Sequence, residues 1–216
     1  EKYGIEYSFT DGWSVADFEK EIQSNTKILY LETPSNPLLT ITNLNGVSVL
    51  AKERDIMTMI DNTFASPINQ KPIDFGIDMV LLSATKYMGG HSDISAGVIA
   101  GSEEHMKQVW LTAICYGANL SDFMVWLLER SMKTLGIRVK AQNDNAMKMA
   151  EYLEQHEGVS KVYYPGLKNH PEHELAKRQM SGFGGMLSFE LNTDIDVSLF
   201  FKQLRLVKPS MSIAGK

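Results

Sequence analysis

Three short apolar runs, each followed at once by polar residues, constrain the fold of this chain most strongly. The runs cover residues 27–32, 56–60 and 79–82, and segments with helical patterns separate them. Near-continuous apolar strands separated by helices are typical of a mostly parallel sheet covered on both faces. Ligands bind such sheets beyond the carboxyl ends of the strands. We therefore expect an α/β fold in which the polar residues that follow the three runs converge on one edge.

The second half of the sequence is mainly helical and then becomes mixed. Residues 96–100 are predicted to form a return strand, and a long helical region runs from Ser121 toward Gly158. Short strands and helices alternate in the remainder, at residues 161–164, 171–180, 186–191 and 197–204. We interpret residues 1–145 as part of a large domain and residues 146–216 as the beginning of a smaller α+β domain.

Composition disfavours several classes of function. The net charge of -5, from 21 basic and 26 acidic residues, gives no electrostatic reason to expect nucleic acid or an anionic membrane as a partner. No apolar run approaches the roughly 18 residues of a membrane span. The single cysteine, Cys115, suits a reducing compartment, so we expect a cytoplasmic protein in which Cys115 is a small buried side chain. Among the histidines only His170 and His173 have ligand-like spacing, and they are interpreted as surface residues, so no metal site is predicted.

The segment of residues 78–93 carries the clearest chemical signal. Lys86 follows an apolar strand closely, lies near the hydroxyl-bearing Ser83 and Thr85, and precedes the paired glycines at positions 89–90. Most lysines are solvated surface charges. Removal from water favours the neutral amine, however, which is the form that attacks a carbonyl. The two hydroxyls can donate hydrogen bonds to phosphate oxygens.

Two other polar positions follow the first two apolar runs. Asp61 is either a turn carboxylate, as is usual at strand ends, or a carboxylate that keeps a pyridine nitrogen protonated. Asn36, which lies between Pro34 and Pro37, is either a turn residue or a fixed hydrogen-bond donor aimed at the crevice. Each position alone is a weak signal.

Together the three segments resemble the trans-sulfuration (Cys/Met metabolism) family of pyridoxal-phosphate (PLP) enzymes. Residues 83–92 are similar to the cofactor-attachment signature, and residues 32–37 and 61–67 are similar to two further family segments in the same order. The family holds cystathionine γ-synthase, cystathionine β- and γ-lyases, methionine γ-lyase and O-acylhomoserine sulfhydrylases. The resemblance implies a fold-type-I, aspartate-aminotransferase-like large domain, and elimination or replacement at Cβ or Cγ of a sulfur-containing or O-acylated amino acid.

The resemblance also implies a set of site residues. Lys86 is expected to hold PLP covalently and then to move protons at the substrate. The remaining residues are expected to contact the cofactor ring nitrogen (Asp61), its ring hydroxyl (Asn36), its phosphate (Ser83 and Thr85) and the substrate carboxylate (Ser212). A homodimer or homotetramer is implied, with the N- and C-terminal parts of the family chain lying outside these 216 residues.

Two alternatives remain open from the sequence. One is another fold-type-I PLP enzyme, such as a desulfurase or an aminotransferase. The other is a non-catalytic module that binds the cofactor or another subunit. The sequence does not distinguish lyase from synthase, nor does it identify the leaving group.

Overall fold

The computed structural model describes residues 3–207 and 210. Its main sheet has the strand order β1-β2-β3-β4. The first three strands are parallel, and β4 returns antiparallel to β3. The strand bounds are Ile28–Glu32 (β1), Met57–Asp61 (β2), Met79–Ser83 (β3) and Gly97–Gly101 (β4). The predicted mostly parallel α/β architecture and the predicted return strand are confirmed.

One face of this sheet packs on the main hydrophobic core. Leu31, Ile60 and Val80 are almost completely buried in this core, together with Leu44 and Val47 of helix α2 (Leu44–Glu53). Because side chains alternate between the two faces of a strand, burial of these residues directs their neighbours Glu32 and Asp61 to the opposite face. The packing of α2 therefore determines which polar side chains point away from the core.

The remaining helices follow the sequence pattern closely. Ser14 caps the first of them with a capping box that pairs it with Asp17, which satisfies backbone donors that the helix itself leaves unpaired. The long helical region predicted after Ser121 is broken near Lys133 into two helices. The bounds are Val15–Glu21 (α1), Ser66–Asn69 (α3), Glu103–Tyr116 (α4), Asp122–Met132 (α5), Leu135–Glu154 (α6), His173–Gln179 (α7) and Val197–Gln203 (α8). Among the described residues, no helix has the length and apolar character needed to cross a membrane.

A second, two-stranded antiparallel sheet follows α6. It pairs β5 (Val159–Tyr163) with β6 (Ser188–Leu191) and encloses a separate apolar cluster that includes Ala150 of α6 and Tyr164. These are the short strands expected of the smaller domain. The predicted boundary between residues 145 and 146 lies inside α6, and the division into domains stays a prediction.

Amide side chains that are buried or partly buried join the later part of the chain to the first sheet. Asn143 of α6 and Asn69 exchange two side-chain hydrogen bonds, at 2.8 and 2.9 Å. Gln179 donates to the carbonyl of Thr42 (2.8 Å), and Gln70 donates to the carbonyl of Gln179 (3.3 Å). Buried amides are costly unless they are paired, so these contacts fix how α6 and α7 lie against the loops of the first sheet.

Two expectations about burial were wrong. His170, interpreted from the sequence as a surface residue, is only 6% exposed. Cys115, predicted to be a small buried side chain, is exposed on α4. No residue of α4 is buried, and the large apolar side chains of Trp110, Leu111 and Ile114 are also exposed. The apolar character of this segment therefore does not reflect burial within the described chain.

Candidate cofactor site

Lys86 lies on a tight turn that begins where β3 ends. The N–H of Lys86 donates to Ser83 (3.0 Å), that of Gly89 to Ala84 (2.7 Å), and that of Gly90 to Lys86 (2.7 Å), in each case to the carbonyl oxygen. Ala84 is completely buried and Tyr87 is 5% exposed, so the residues on both sides of the half-buried lysine anchor the turn in the core. Burial also raises the pKa of Tyr87 to about 12, so its hydroxyl stays neutral at physiological pH.

Asp61 and Ser83 are joined through Thr63. Asp61 is the last residue of β2, and its carboxylate accepts the N–H of Thr63 at 3.0 Å. The hydroxyl of Thr63 in turn accepts the N–H of Ser83 at 2.8 Å. The carboxylate and the start of the lysine turn are therefore held in one hydrogen-bonded unit at the carboxyl edge of the sheet.

A cavity of about 670 Å³ opens at this edge. Asp61 and Ser83 line it together with β4 residues such as Gly97 and the loop of residues 117–120. Its volume lies within the range of about 300–1,000 Å³ that is usual for small-molecule and cofactor sites. Of the residues proposed from the sequence, the structure places these two in the cavity lining, whereas Lys86 and Thr85 stand outside that lining.

The hydroxyl of Thr85 is engaged by the return strand. It accepts the N–H of Ala96 at 2.9 Å and donates to the carbonyl of Ala96 at 3.3 Å. A threonine hydroxyl has one proton, so the hydroxyl cannot donate to a phosphate oxygen while it donates to Ala96. A phosphate-binding role for Thr85 stays a prediction that requires this contact to rearrange.

Asn36 is exposed in the loop that follows β1, and its backbone N–H bonds to the carboxylate of Glu32. The loop is held from two sides. Ser35 and Thr40 share a hydroxyl–hydroxyl hydrogen bond across its base, and Ser188 donates to the carbonyl of Pro37 at 2.5 Å. The loop is thus fixed near the carboxyl edge of the sheet, while the ring-hydroxyl contact of the Asn36 side chain stays a prediction.

Glu32 and Tyr30, on the same face of β1, have no role in the sequence interpretation. Glu32 is the register partner of Asp61. Burial, and then the charge of Asp61, raise the pKa of Glu32. Burial also raises the pKa of Tyr30, with smaller contributions from Asp61 and Glu32. Neighbouring carboxylates oppose each other's ionisation and favour a cation beside them. Strand register was the missing information, because it alone shows that the two carboxylates are neighbours.

Two further expectations concern this site. Ser212, predicted to lie near the substrate carboxylate, falls outside the described residues. Within residues 3–207 and 210, no group of three His, Cys, Asp or Glu side chains is arranged to hold a metal ion.

The donors present at this edge suit PLP. A carboxylate (Asp61) and a hydroxyl-bearing side chain (Ser83) line one cavity, and an amine (Lys86) follows on the turn that Ser83 begins. These groups match a ring nitrogen to be kept protonated, a phosphate to be bound and an aldehyde to be attached. The second carboxylate, Glu32, lies beside Asp61 as its register partner and adds negative charge next to it.

Known proteins resemble this chain over almost its whole length. It is 46% identical over 215 residues to cystathionine β-lyase of Lactococcus lactis subsp. cremoris (strain MG1363), covering 99% of this chain and 57% of that protein. Identity, length and both coverages are the same for cystathionine γ-lyase of Bacillus subtilis (strain 168). The crystal structure of cystathionine γ-lyase from Lactobacillus plantarum complexed with L-serine matches with a TM-score of 0.95 and 40% identity, over 99% of this chain and 56% of that one.

The chain therefore spans a little more than half the length of these relatives. The structural match extends the α/β assignment to the fold of PLP-dependent cystathionine enzymes. The family described as Cys/Met metabolism PLP-dependent enzyme matches residues 1–216. The cofactor of that family is PLP, and this chain belongs to the Cys/Met metabolism PLP-dependent enzyme family.

Proposed function

We propose that the protein containing this chain is a trans-sulfuration enzyme that eliminates or replaces a substituent at Cβ or Cγ of a sulfur-containing or O-acylated amino acid. One observation carries the proposal. Asp61 and Ser83 line a single cavity, and Lys86 lies three residues beyond Ser83 on an anchored turn. The carboxylate and the hydroxyl thus share a cavity where α/β sheets bind ligands, and the lysine follows on the adjoining turn.

Each residue has a distinct task in this proposal. PLP, when bound, supplies an electron sink for the substrate carbon. The negative charge of Asp61 holds a proton on the ring nitrogen, which keeps that sink effective. Lys86 would hold the cofactor through Nζ and, when the substrate amine takes its place, would remove or return a proton at the substrate Cα. Ser83 would bind the phosphate through its hydroxyl, and Ser212 is proposed to lie near the substrate carboxylate.

The carboxyl edge of the sheet supports this assignment electrostatically. Asp61 already has Glu32 as its register partner, so the carboxylate proposed to pair with the ring nitrogen has a second carboxylate beside it. A third charge of the same sign would be disfavoured there, whereas a protonated ring is favoured. The ring hydroxyl is proposed to contact Asn36, whose loop Ser35, Thr40 and Ser188 hold in place.

The similar proteins favour this activity over the two alternatives. The relatives carry the names cystathionine β-lyase and cystathionine γ-lyase, which supports C–S bond chemistry over desulfurase or aminotransferase activity. Membership of a family of enzymes also disfavours a non-catalytic module. Cystathionine is accordingly the first substrate to test.

The remaining parts of the proposal concern the protein's setting. Assembly into a homodimer or homotetramer is proposed from the family resemblance. Trp110, Phe123 and Trp126 are 60%, 62% and 54% exposed on consecutive helices, a surface that another subunit or the rest of the protein would cover. A small amino acid is the proposed substrate, and the cytoplasm is the proposed location.

The activity is tested by supplying the purified native protein with PLP and cystathionine. A lyase will release ammonia together with a 2-oxo acid and a thiol amino acid, and these products are counted against one another. A γ-replacement enzyme will instead form cystathionine from cysteine and an O-acylhomoserine. Transamination products, with no thiol or thioether change, would contradict the proposal. Lys86→Ala should abolish turnover, whereas Lys168→Ala, which changes an exposed lysine, should leave it intact.

A further inference from the structure

Arg138, near the start of α6, reaches across to the turn that carries Lys86. Its Nη1 donates to the carbonyl of Tyr87 at 2.6 Å, and its Nη2 donates to the carbonyl of Met88 at 3.2 Å. These are the two residues that follow Lys86 in the chain. The same guanidinium donates to the carbonyl of Ser131 (3.0 Å), and Nε donates to the hydroxyl of Thr134 (3.0 Å). Four hydrogen bonds therefore fix the guanidinium between the turn and the α5–α6 junction.

The turn cannot satisfy these carbonyls by itself. Its own backbone hydrogen bonds use the carbonyls of Ser83, Ala84 and Lys86. The next two carbonyls, those of Tyr87 and Met88, belong to buried residues, where an unpaired polar group is costly. Because a guanidinium presents several donors in one plane, Arg138 bonds both carbonyls at once.

Gly90 provides the space for this contact. It has a φ of +73°, in the left-handed region that favours glycine. A Cβ at this position would overlap Nη1 of Arg138. The end of the turn is therefore shaped to accept the guanidinium, and glycine meets both the conformational and the steric requirement.

The helix that carries Arg138 is anchored through Asn143. Asn143, on the same helix, accepts hydrogen bonds from the Asn69 side chain (2.9 Å) and from the N–H of Gly184 (3.1 Å). Burial lowers the pKa of Arg138, because the guanidinium is partly removed from water. Loss of competing water strengthens the charge-assisted hydrogen bonds that it makes.

We propose that Arg138 is a positioning residue for Lys86. Arg138 holds the turn of residues 84–90 in the one conformation that presents the lysine amine to the cofactor. The proposal rests on the proposed function, because it takes Lys86 as the residue that attaches PLP. Arg138 touches neither cofactor nor substrate in this role. It acts through the backbone of Tyr87 and Met88.

The test compares three variants of the native protein. Arg138→Met removes all four hydrogen bonds, and Arg138→Lys keeps the charge but not the fork that reaches two carbonyls. Arg54→Met is the matched control, because Arg54 makes a 2.7 Å bond to Glu19 beside the amino end of β2, at the opposite edge of the sheet. Deuterium uptake of residues 84–90 is measured without cofactor, and the dissociation constant for PLP is measured by absorbance titration.

We expect Arg138→Met to speed exchange in the turn and to weaken PLP binding by at least about tenfold, since hydrogen bonds to charged groups contribute at that level. Arg138→Lys should lie between this variant and wild type. Arg54→Met should match wild type in both measurements, even where its thermal stability falls. A purely structural role for Arg138 would lower stability without moving either measurement.

Unchanged exchange and unchanged PLP affinity in Arg138→Lys would overturn the proposal, including where Arg138→Met fails to fold. A different result would contradict the proposed function alone: wild-type protein that binds PLP on Lys86 but gives no trans-sulfuration products. Failure of wild-type protein to attach PLP at Lys86 would overturn both.

Discussion

The contact between Thr85 and Ala96 gives a quantitative prediction about stability. Thr85→Val keeps the shape of the side chain but removes a hydroxyl that accepts from Ala96 N–H at 2.9 Å and donates to Ala96 O at 3.3 Å. The carbonyl of Ala96 keeps a partner, because the backbone N–H of Thr85 also donates to it at 3.2 Å. The uncompensated group is therefore the N–H of Ala96.

One lost hydrogen bond with an unsatisfied, partly buried donor costs about 1–3 kcal/mol. We expect Thr85→Val to lower the free energy of unfolding of the cofactor-free protein by this amount, measured by urea denaturation. Thr112→Val is the control, because the Thr112 hydroxyl bonds to Gln108 on an exposed helix face. Water replaces that bond, so the expected change is within about 0.5 kcal/mol.

The same experiment separates Thr85 from Ser83. The Ser83 hydroxyl is in no hydrogen bond among residues 3–207 and 210, and Ser83 lines the cavity. Ser83→Ala should therefore weaken PLP binding while leaving the stability of the cofactor-free protein nearly unchanged. If Thr85→Val is as stable as wild type but binds PLP as weakly as Ser83→Ala, the result contradicts a stabilising role for the contact with Ala96 and supports the phosphate-binding role.

Three further predictions follow from the described contacts. Asp61→Asn should lower kcat by about 10²–10³-fold, but stability should change little because an amide oxygen still accepts the Thr63 N–H. Steady-state kinetics measure the first effect and a denaturation curve the second, and an unchanged kcat would exclude Asp61 from the mechanism. Ile60→Ala should cost about 2–5 kcal/mol, since Ile60 is completely buried; chemical denaturation tests it, and a cost below about 1 kcal/mol would contradict the packing. Burial lowers the pKa of His170, so the unfolded chain takes up a proton before the folded chain as the pH falls. The free energy of unfolding should therefore decrease below about pH 6.5. His170→Gln should flatten that part of the stability–pH curve, and an unchanged curve would exclude the effect.

The strands and their polar ends were predictable because both signals are local. Apolar runs followed by Glu32, Asp61 and Ser83 can be recognised in the sequence, and parallel pairing then places the strand ends at one edge. The cavity shared by Asp61 and Ser83 follows from this arrangement. The pairing of Glu32 with Asp61 does not follow, because it depends on register, which a run of apolar residues does not specify.

Contacts between distant parts of the chain could not be predicted. The partner of Thr85 is set by the return of β4, and the partner of the Lys86 turn is Arg138, on a helix that begins far along the chain. Nothing in either local sequence indicates the other. Cys115 shows a different limit, because an apolar segment predicts burial without showing whether the covering surface belongs to the described chain.

Peptide mapping after borohydride reduction tests whether Lys86 attaches the cofactor. The native protein is saturated with PLP, reduced, digested and examined by mass spectrometry. We expect a single pyridoxyl adduct on Lys86, loss of the visible absorbance band on reduction, and no adduct in Lys86→Ala. An adduct on another lysine, or none at saturating PLP, would contradict the assignment of this turn as the cofactor-attachment site.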